Sequence, residues 1–165
     1  MPENRIRCIS LLRKGGVRPK VIAHCKAVCT CAEEYAKRSD LADRNLVTIG
    51  AMLHDIGRGN THSIGHAQRG ADLLREKGFR EEIARIVECH TGAGLTADEC
   101  TLLGLLPRDC MPQTIEEKIV THSDNLIAGS NRVIIEEEIA AAVNLPRKIR
   151  KRMYRLANDV ELLTH

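Results

Sequence analysis

Apolar residues recur at steps of three and four along most of the chain, the spacing of one buried face of an α-helix. Val21, Cys25, Val28, Ala32 and Tyr35 make one such stripe and predict a helix over about 19–38. Leu46, Ile49, Gly50 and Leu53 make a second, over about 43–56, which Gly57 and Gly59 end in a GRGNT loop. A third helix is predicted over about 62–77, stopping at Gly78 after Lys77, and a fourth over about 80–90, burying Ile83, Ile86 and Val87. Residues 91–112 read as connection with one short helix, where Thr96 and Glu99 stand at capping-box spacing. Thr114 and Glu117 repeat that spacing at the head of a long helix predicted to reach about 140. A last helix, about 146–163, opens near Pro146 and carries Ile149, Met153, Leu156, Val160 and Leu163 at regular 4-3-4-3 steps. There is no sustained alternation, repeat or low-complexity tract, so the predicted class is all-α, a single-domain bundle of six to seven helices over residues 1–165 with its core in about 19–140.

Composition narrows this further. Aromatics are 2% of residues with no Trp, so the core must be built from aliphatic side chains, Ala, Cys and Met, which suits closely packed helices. The longest apolar runs fall well short of the roughly 20 residues of a membrane span, and MPENRIRCIS has no stretch of signal-peptide length. The expected location is the cytoplasm, without a membrane partner. Seven cysteines in a chain with no export signal read as reduced thiols, and Cys29 and Cys31, two apart on a helix, point to different faces, so they read as small buried hydrophobes. A net charge of +3 does not by itself imply nucleic acid.

The chemistry-bearing residues fall on the buried faces. His24 sits within the stripe of its helix, His54 and Asp55 follow Leu53, His90 follows Val87 by three, and Asp124 stands between Val120 and Ile127. A lone inward His is ordinarily a hydrogen-bonded core residue, but a buried carboxylate needs a cation or strong donors beside it. Inward His and Asp groups on four helices together make a mixed nitrogen and oxygen site for divalent metals such as Fe, Mn, Ni, Zn or Mg, of the kind that helix bundles build from facing helices.

His24, the His54–Asp55 doublet in AMLHDIG and Asp124 in HSDNL, spaced 30 and 69 residues apart, resemble the HD superfamily of metal-dependent phosphohydrolases over about residues 19–130. GHAQRGADLL (65–74) and IVECHTGAG (86–94) are similar to the two additional histidine motifs of its HDIG-type branch. The resemblance implies two metal ions, one held by His24, His54, Asp55 and Asp124 and the other by Asp55, His66 and His90, with Asp55 bridging. It implies hydrolysis of a nucleotide or other small phosphoester or phosphoanhydride by in-line attack of a metal-activated hydroxide, the ions also offsetting transition-state charge. Arg58 stands where such enzymes often have Lys and is a candidate phosphate ligand or a solvated loop charge. Symmetrical hydrolysis of dinucleoside polyphosphates and non-catalytic, metal-dependent nucleotide binding are the alternatives.

His62, four before His66, could share its helix face as a third ligand, a phosphate contact or an exposed polar group. His122 points away from Asp124, Asn125 is a supporting residue or a surface amide, and His165 is expected to be disordered. The segment PRKIRKRMYR, including Arg147, Lys148, Arg150 and Lys151, could meet RNA, an acidic partner or a membrane surface; its apolar stripe points instead to docking on the body with the charges in water.

Overall fold

Local signals set where each helix starts and stops in the computed structural model, which describes residues 2–164. Among these, nine α-helices and one two-stranded hairpin form. α1 (Pro2–Lys14) leads into α2 (Pro19–Arg38), which opens on proline at its first position. α3 (Arg44–Leu53) is capped by Asp43, whose carboxylate accepts from the Asn45 and Leu46 amides at 2.9 and 3.0 Å. A 3-10 turn (Ile56–Gly59) follows, then α4 (His66–Glu76), α5 (Glu81–Cys89) and α6 (Ala97–Leu102). α7 (Ile115–Asn125), hairpin strands β1 (Ile127–Ala128) and β2 (Asn131–Arg132), α8 (Ile135–Ala141) and α9 (Arg147–Leu163) complete the chain. The capping boxes expected at Thr96–Glu99 and Thr114–Glu117 are both formed.

α2, α3, α5 and α7 pack against one another around one core of Val28, Met52, Leu53, Ile86, Ile119 and their neighbours. α4 lies on α5 and on the 3-10 turn, α1 on α3, and α9 on α7. Two close approaches rest on glycine. A Cβ on Gly50 of α3 would meet Ile86 of α5 at 2.7 Å, and one on Gly57 would overlap the His66 carbonyl oxygen and come within 2.8 Å of the Gly70 nitrogen. All seven cysteines are buried and unpaired, as small hydrophobes. No described helix is long and apolar enough to cross a membrane.

The class is all-α as expected, with four differences of detail. α1 was not foreseen: it buries Cys8 and Leu12 on a short seam flanked by charge, too thin a stripe to stand out. The helix predicted over 114–140 stops at Asn125, because the Gly129–Ser130 turn, with Gly129 at φ 64°, folds the chain back as a hairpin before α8 begins. α4 starts at His66 rather than near 62, so His62 does not share its face and is exposed in the preceding loop. On α9 Met153, Leu156 and Val160 are buried, whereas Ile149 is half-buried and Leu163 exposed. His165 lies outside the described residues.

Candidate metal centre

Four imidazoles run edge to face through the middle of the bundle: His24 on α2, His54 at the end of α3, His90 at the end of α5 and His66 at the head of α4. Successive ring centroids lie 5.3, 4.9 and 5.0 Å apart. His54, His90, His66 and Asp55 are buried, while His24 and Asp124 form the edge nearer solvent, with 18% and 22% of their side chains exposed. Asp124, on α7, places one carboxylate oxygen 2.8 Å from His24 Nε2 and 3.4 Å from His54 Nε2. The Asp55 carboxylate straddles the row: Oδ1 lies 3.1 Å from His66 Nε2 and 3.5 Å from His90 Nε2, and Oδ2 lies 3.8 Å from His54 Nε2. The six residues singled out from the sequence therefore converge.

The backbone determines which nitrogen each imidazole offers. Nδ1 of His24 donates to the Gly129 carbonyl (2.7 Å), His54 to Ala51 (2.7 Å), His66 to Ser63 (2.9 Å) and His90 to Val87 (2.6 Å). With the Nδ1 proton committed in all four, each ring turns its Nε2 toward the centre and, when neutral, offers a lone pair there. His66 and His90 bring these nitrogens to 3.0 Å of each other, and the buried His54 Nε2 has no hydrogen-bond partner. Lone pairs facing one another and facing carboxylates repel unless a cation sits among them. Ligand atoms of His24, His54 and Asp124 lie within 4.8 Å of one another, and so do those of His54, Asp55 and His90. The cluster can hold a divalent metal, with the outer-ring hydrogen bonds that metal-binding histidines need.

The electrostatics agree. Burial alone would push His54 down, but Asp55 and Asp124 outweigh it and lift it to about 9. Burial raises Asp55 and Asp124, yet the imidazoles around them hold both far below the ordinary carboxylate range. His90 is pushed down by its burial. Two ionised carboxylates thus demand positive charge at this point, and without a metal a proton on His54 supplies part of it.

Other residues take supporting places. Arg58 donates Nε to Asp55 at 2.7 Å and remains partly exposed at the edge of the site. Asn125 is a buried amide that donates to the Gly92 carbonyl at 2.7 Å, tying α7 to the loop after His90; it is not a surface group. His122 is turned away from the centre onto the Tyr35 hydroxyl. Two features had no sequence signal. One is the Gly129 carbonyl that orients His24. The other is Glu138, half-buried on α8, whose carboxyl is raised first by burial and then by the charge of Asp124. On one continuous helix the 14 residues from Asp124 would have put it about 21 Å away; the hairpin brings it back within reach of that charge.

The HD domain family matches residues 21–129, well over half of the chain and every one of these ligands. The chain belongs to the HD-domain family. Among curated relatives, the HD domain described here is 46% identical over 132 residues to a tRNA (cytidine(56)-2'-O)-methyltransferase of Thermoplasma volcanium, covering 80% of this chain and 39% of that protein. It is 50% identical over 123 residues to an uncharacterized protein of Methanocaldococcus jannaschii, covering 72% and 73% of the two chains. A second tRNA (cytidine(56)-2'-O)-methyltransferase, of Picrophilus torridus, is 45% identical over 122 residues, 74% of this chain and 36% of that one. The HD domain thus spans under two-fifths of the length of those two enzymes. Among solved structures, the HD domain of the L. monocytogenes phosphodiesterase PgpH matches with a TM-score of 0.59 at 20% identity, over 94% of this chain and 99% of that one, which establishes the shared fold.

Proposed function

We propose that this chain is a metal-dependent phosphohydrolase, working as one HD-type unit, that acts on a nucleotide or another small phosphoester or phosphoanhydride through two divalent ions. The observation that carries the proposal is the shared orientation of four histidines, whose Nδ1 atoms are all taken by backbone carbonyls and whose Nε2 atoms all crowd around two ionised carboxylates. In this reading His24, His54, Asp55 and Asp124 hold one ion and Asp55, His66 and His90 the other, supported by the division of the two Asp55 oxygens between the two ends of the row. Bound ions would act as Lewis acids toward phosphoryl oxygens and lower the pKa of a coordinated water. Arg58 has Nε engaged by Asp55, so its two terminal nitrogens are left to grip a phosphate at the open edge. With His54, His90 and His66 buried, the partly exposed His24, Asp124 and Arg58 mark where substrate would approach.

Symmetrical cleavage of dinucleoside polyphosphates belongs to the same substrate class, and the PgpH neighbour solved with cyclic-di-AMP supports including dinucleotides in any screen. Metal-dependent nucleotide binding without turnover is the second reading. Relatives in which a similar segment forms part of a tRNA-modifying enzyme support RNA as a further setting. The test is a panel of nucleotides and phosphoesters offered to the protein loaded with Mn, Fe, Ni, Zn or Mg. Release of phosphate or mononucleotide that is lost in Asp55→Ala supports hydrolysis. Hydrolysis undiminished in Asp55→Ala would refute it, and nucleotide binding without release would favour the sensor.

A further inference from the structure

The chain has two tyrosines, and both line a single cleft of about 300 Å³ between the hairpin, α8, α9 and α2. The cleft is on the side of α7 away from the metal centre, since His122 lines it and stands two residues before Asp124 on that helix. Its floor is polar. The Tyr35 hydroxyl donates to Glu161 at 3.0 Å and lies 3.3 Å from His122 Nε2, which donates to it. That leaves the Nδ1 of His122, a side chain only 2% exposed, as an acceptor with no partner. Tyr154 stands at the rim, 48% exposed, with Asn158 and Arg132 beside it.

The rim continues into a basic flank. On α9, at about 100° per residue, Arg147, Lys151, Tyr154, Arg155 and Asn158 fall within roughly a 100° arc. Arg147, Lys151 and Arg155 are exposed, and no ion pair involves them among the described residues, whereas Lys148 and Arg152 on the adjoining flank of the helix are held by Glu99. Inside the cleft the cationic side chain is already paired: Arg132 is held by Glu34 and Glu161 by Arg38, which leaves Glu136 as the lining charge without an ion pair among the described residues. The interior thus offers an anion no free cation, whereas the rim does. The ligand that fits this order has neutral, amine-bearing rings to place inside and phosphates to leave outside. That is a stretch of single-stranded polynucleotide, the combination of aromatic platform and cationic track by which such strands are generally held.

We propose that this face binds single-stranded nucleic acid, with a base lodged against Tyr154 in the cleft and the flanking phosphates on Arg147, Lys151 and Arg155. The proposal concerns a face the metal centre does not use and stands apart from the hydrolytic reading. It is tested by fluorescence anisotropy of a labelled unstructured RNA of about 12 nucleotides, and of DNA of the same sequence, with the full metal-loaded chain between about 50 and 200 mM salt. The triple variant R147A/K151A/R155A should bind more weakly and flatten the log–log salt dependence by about 2, since each single-strand phosphate contact contributes about 0.7 to the slope. Tyr154→Ala should cost roughly tenfold in affinity, with Tyr154→Phe close to the unchanged protein. Both variants should keep the metal content of the parent, which shows that they fold. Tighter binding of one strand type assigns RNA or DNA as the partner. No binding to either strand at low salt, an unchanged salt slope in the triple variant, or anionic vesicles binding the arginines while Tyr154→Ala leaves polynucleotide affinity unaltered would each overturn the proposal.

Discussion

Adding a divalent metal to ion-free protein should raise its melting temperature, by an amount that depends on Asp55. A ligand that binds only the folded state at a concentration 100 times its Kd stabilises by about 2.7 kcal/mol. For a chain of this size each kcal/mol moves the melting temperature by about 2–4 °C, so one filled site should give a rise of about 5–10 °C and two filled sites about twice that. The pH dependence has a definite sign. His54, lifted to about 9 against an ordinary 6.5, keeps its proton in the ion-free protein throughout the neutral range. Its contribution to ion-free stability is complete below pH 6.5 and is lost as pH rises through 9. A metal must also displace that proton, so apparent metal affinity should tighten about tenfold per pH unit up to about 9. Both effects enlarge the metal-induced rise between pH 7 and pH 9. Differential scanning fluorimetry with each of Mn, Fe, Ni, Zn and Mg reads it directly. Asp55→Asn, which keeps the shape and removes the charge between the two histidine groups, should abolish most of the rise. If no metal shifts the transition, or Asp55→Asn shifts as much as the parent, the reasoning from lone pairs and carboxylates is wrong.

Two further outcomes follow from packing and ion pairing. Gly57→Ala should destabilise by about 3 kcal/mol or more, because the added methyl overlaps the His66 carbonyl and the φ there is ordinary, so the cost is steric; denaturant unfolding measures it, and metal affinity should fall with it as His66 is displaced. Glu99 is held down to about 2 chiefly by the hydrogen bonds from Arg152, with burial opposing. A depressed carboxylate stabilises above its unfolded value and loses that contribution as pH falls, so about 2 kcal/mol, discounted for solvent screening, should disappear between pH 4.5 and pH 2. Arg152→Met should reduce this acid-induced loss, leaving the smaller part due to Lys148 and the Thr96 amide, and melting temperatures that fall equally in both proteins would contradict the assignment.

Much of the metal centre could be read from the chain because each ligand sits on, or just beyond, an apolar stripe whose helical period fixes its direction. His24 lies on the face of Val28, His54 and Asp55 follow Leu53, and His90 follows Val87 by the three residues that let its Nδ1 reach that carbonyl. The first sphere of residues was therefore visible as pattern. What surrounds it was not. The Gly129 carbonyl reaches His24 only because the chain reverses after Leu126, and helix propensity across 114–140 gives no warning of the turn beyond Gly129 itself. Glu138 is brought near Asp124 by that same reversal. The thin seam of Cys8 and Leu12 hid α1, and the cleft containing Tyr35 and Tyr154 joins residues 119 apart in sequence that no period connects. Side-chain direction along one helix is a local property; which loop carbonyl or distant helix completes a site depends on tertiary packing.

In the proposed centre His24, His54, Asp55, His66, His90 and Asp124 hold two metal ions. Anomalous diffraction from crystals grown with Mn tests it most directly. Two peaks should appear about 3.5–4 Å apart, one among His24, His54 and Asp124 and one among His66 and His90, with the Asp55 carboxylate between them. Strong peaks elsewhere on the molecule, with none within bonding distance of these Nε2 and carboxylate atoms, would contradict it.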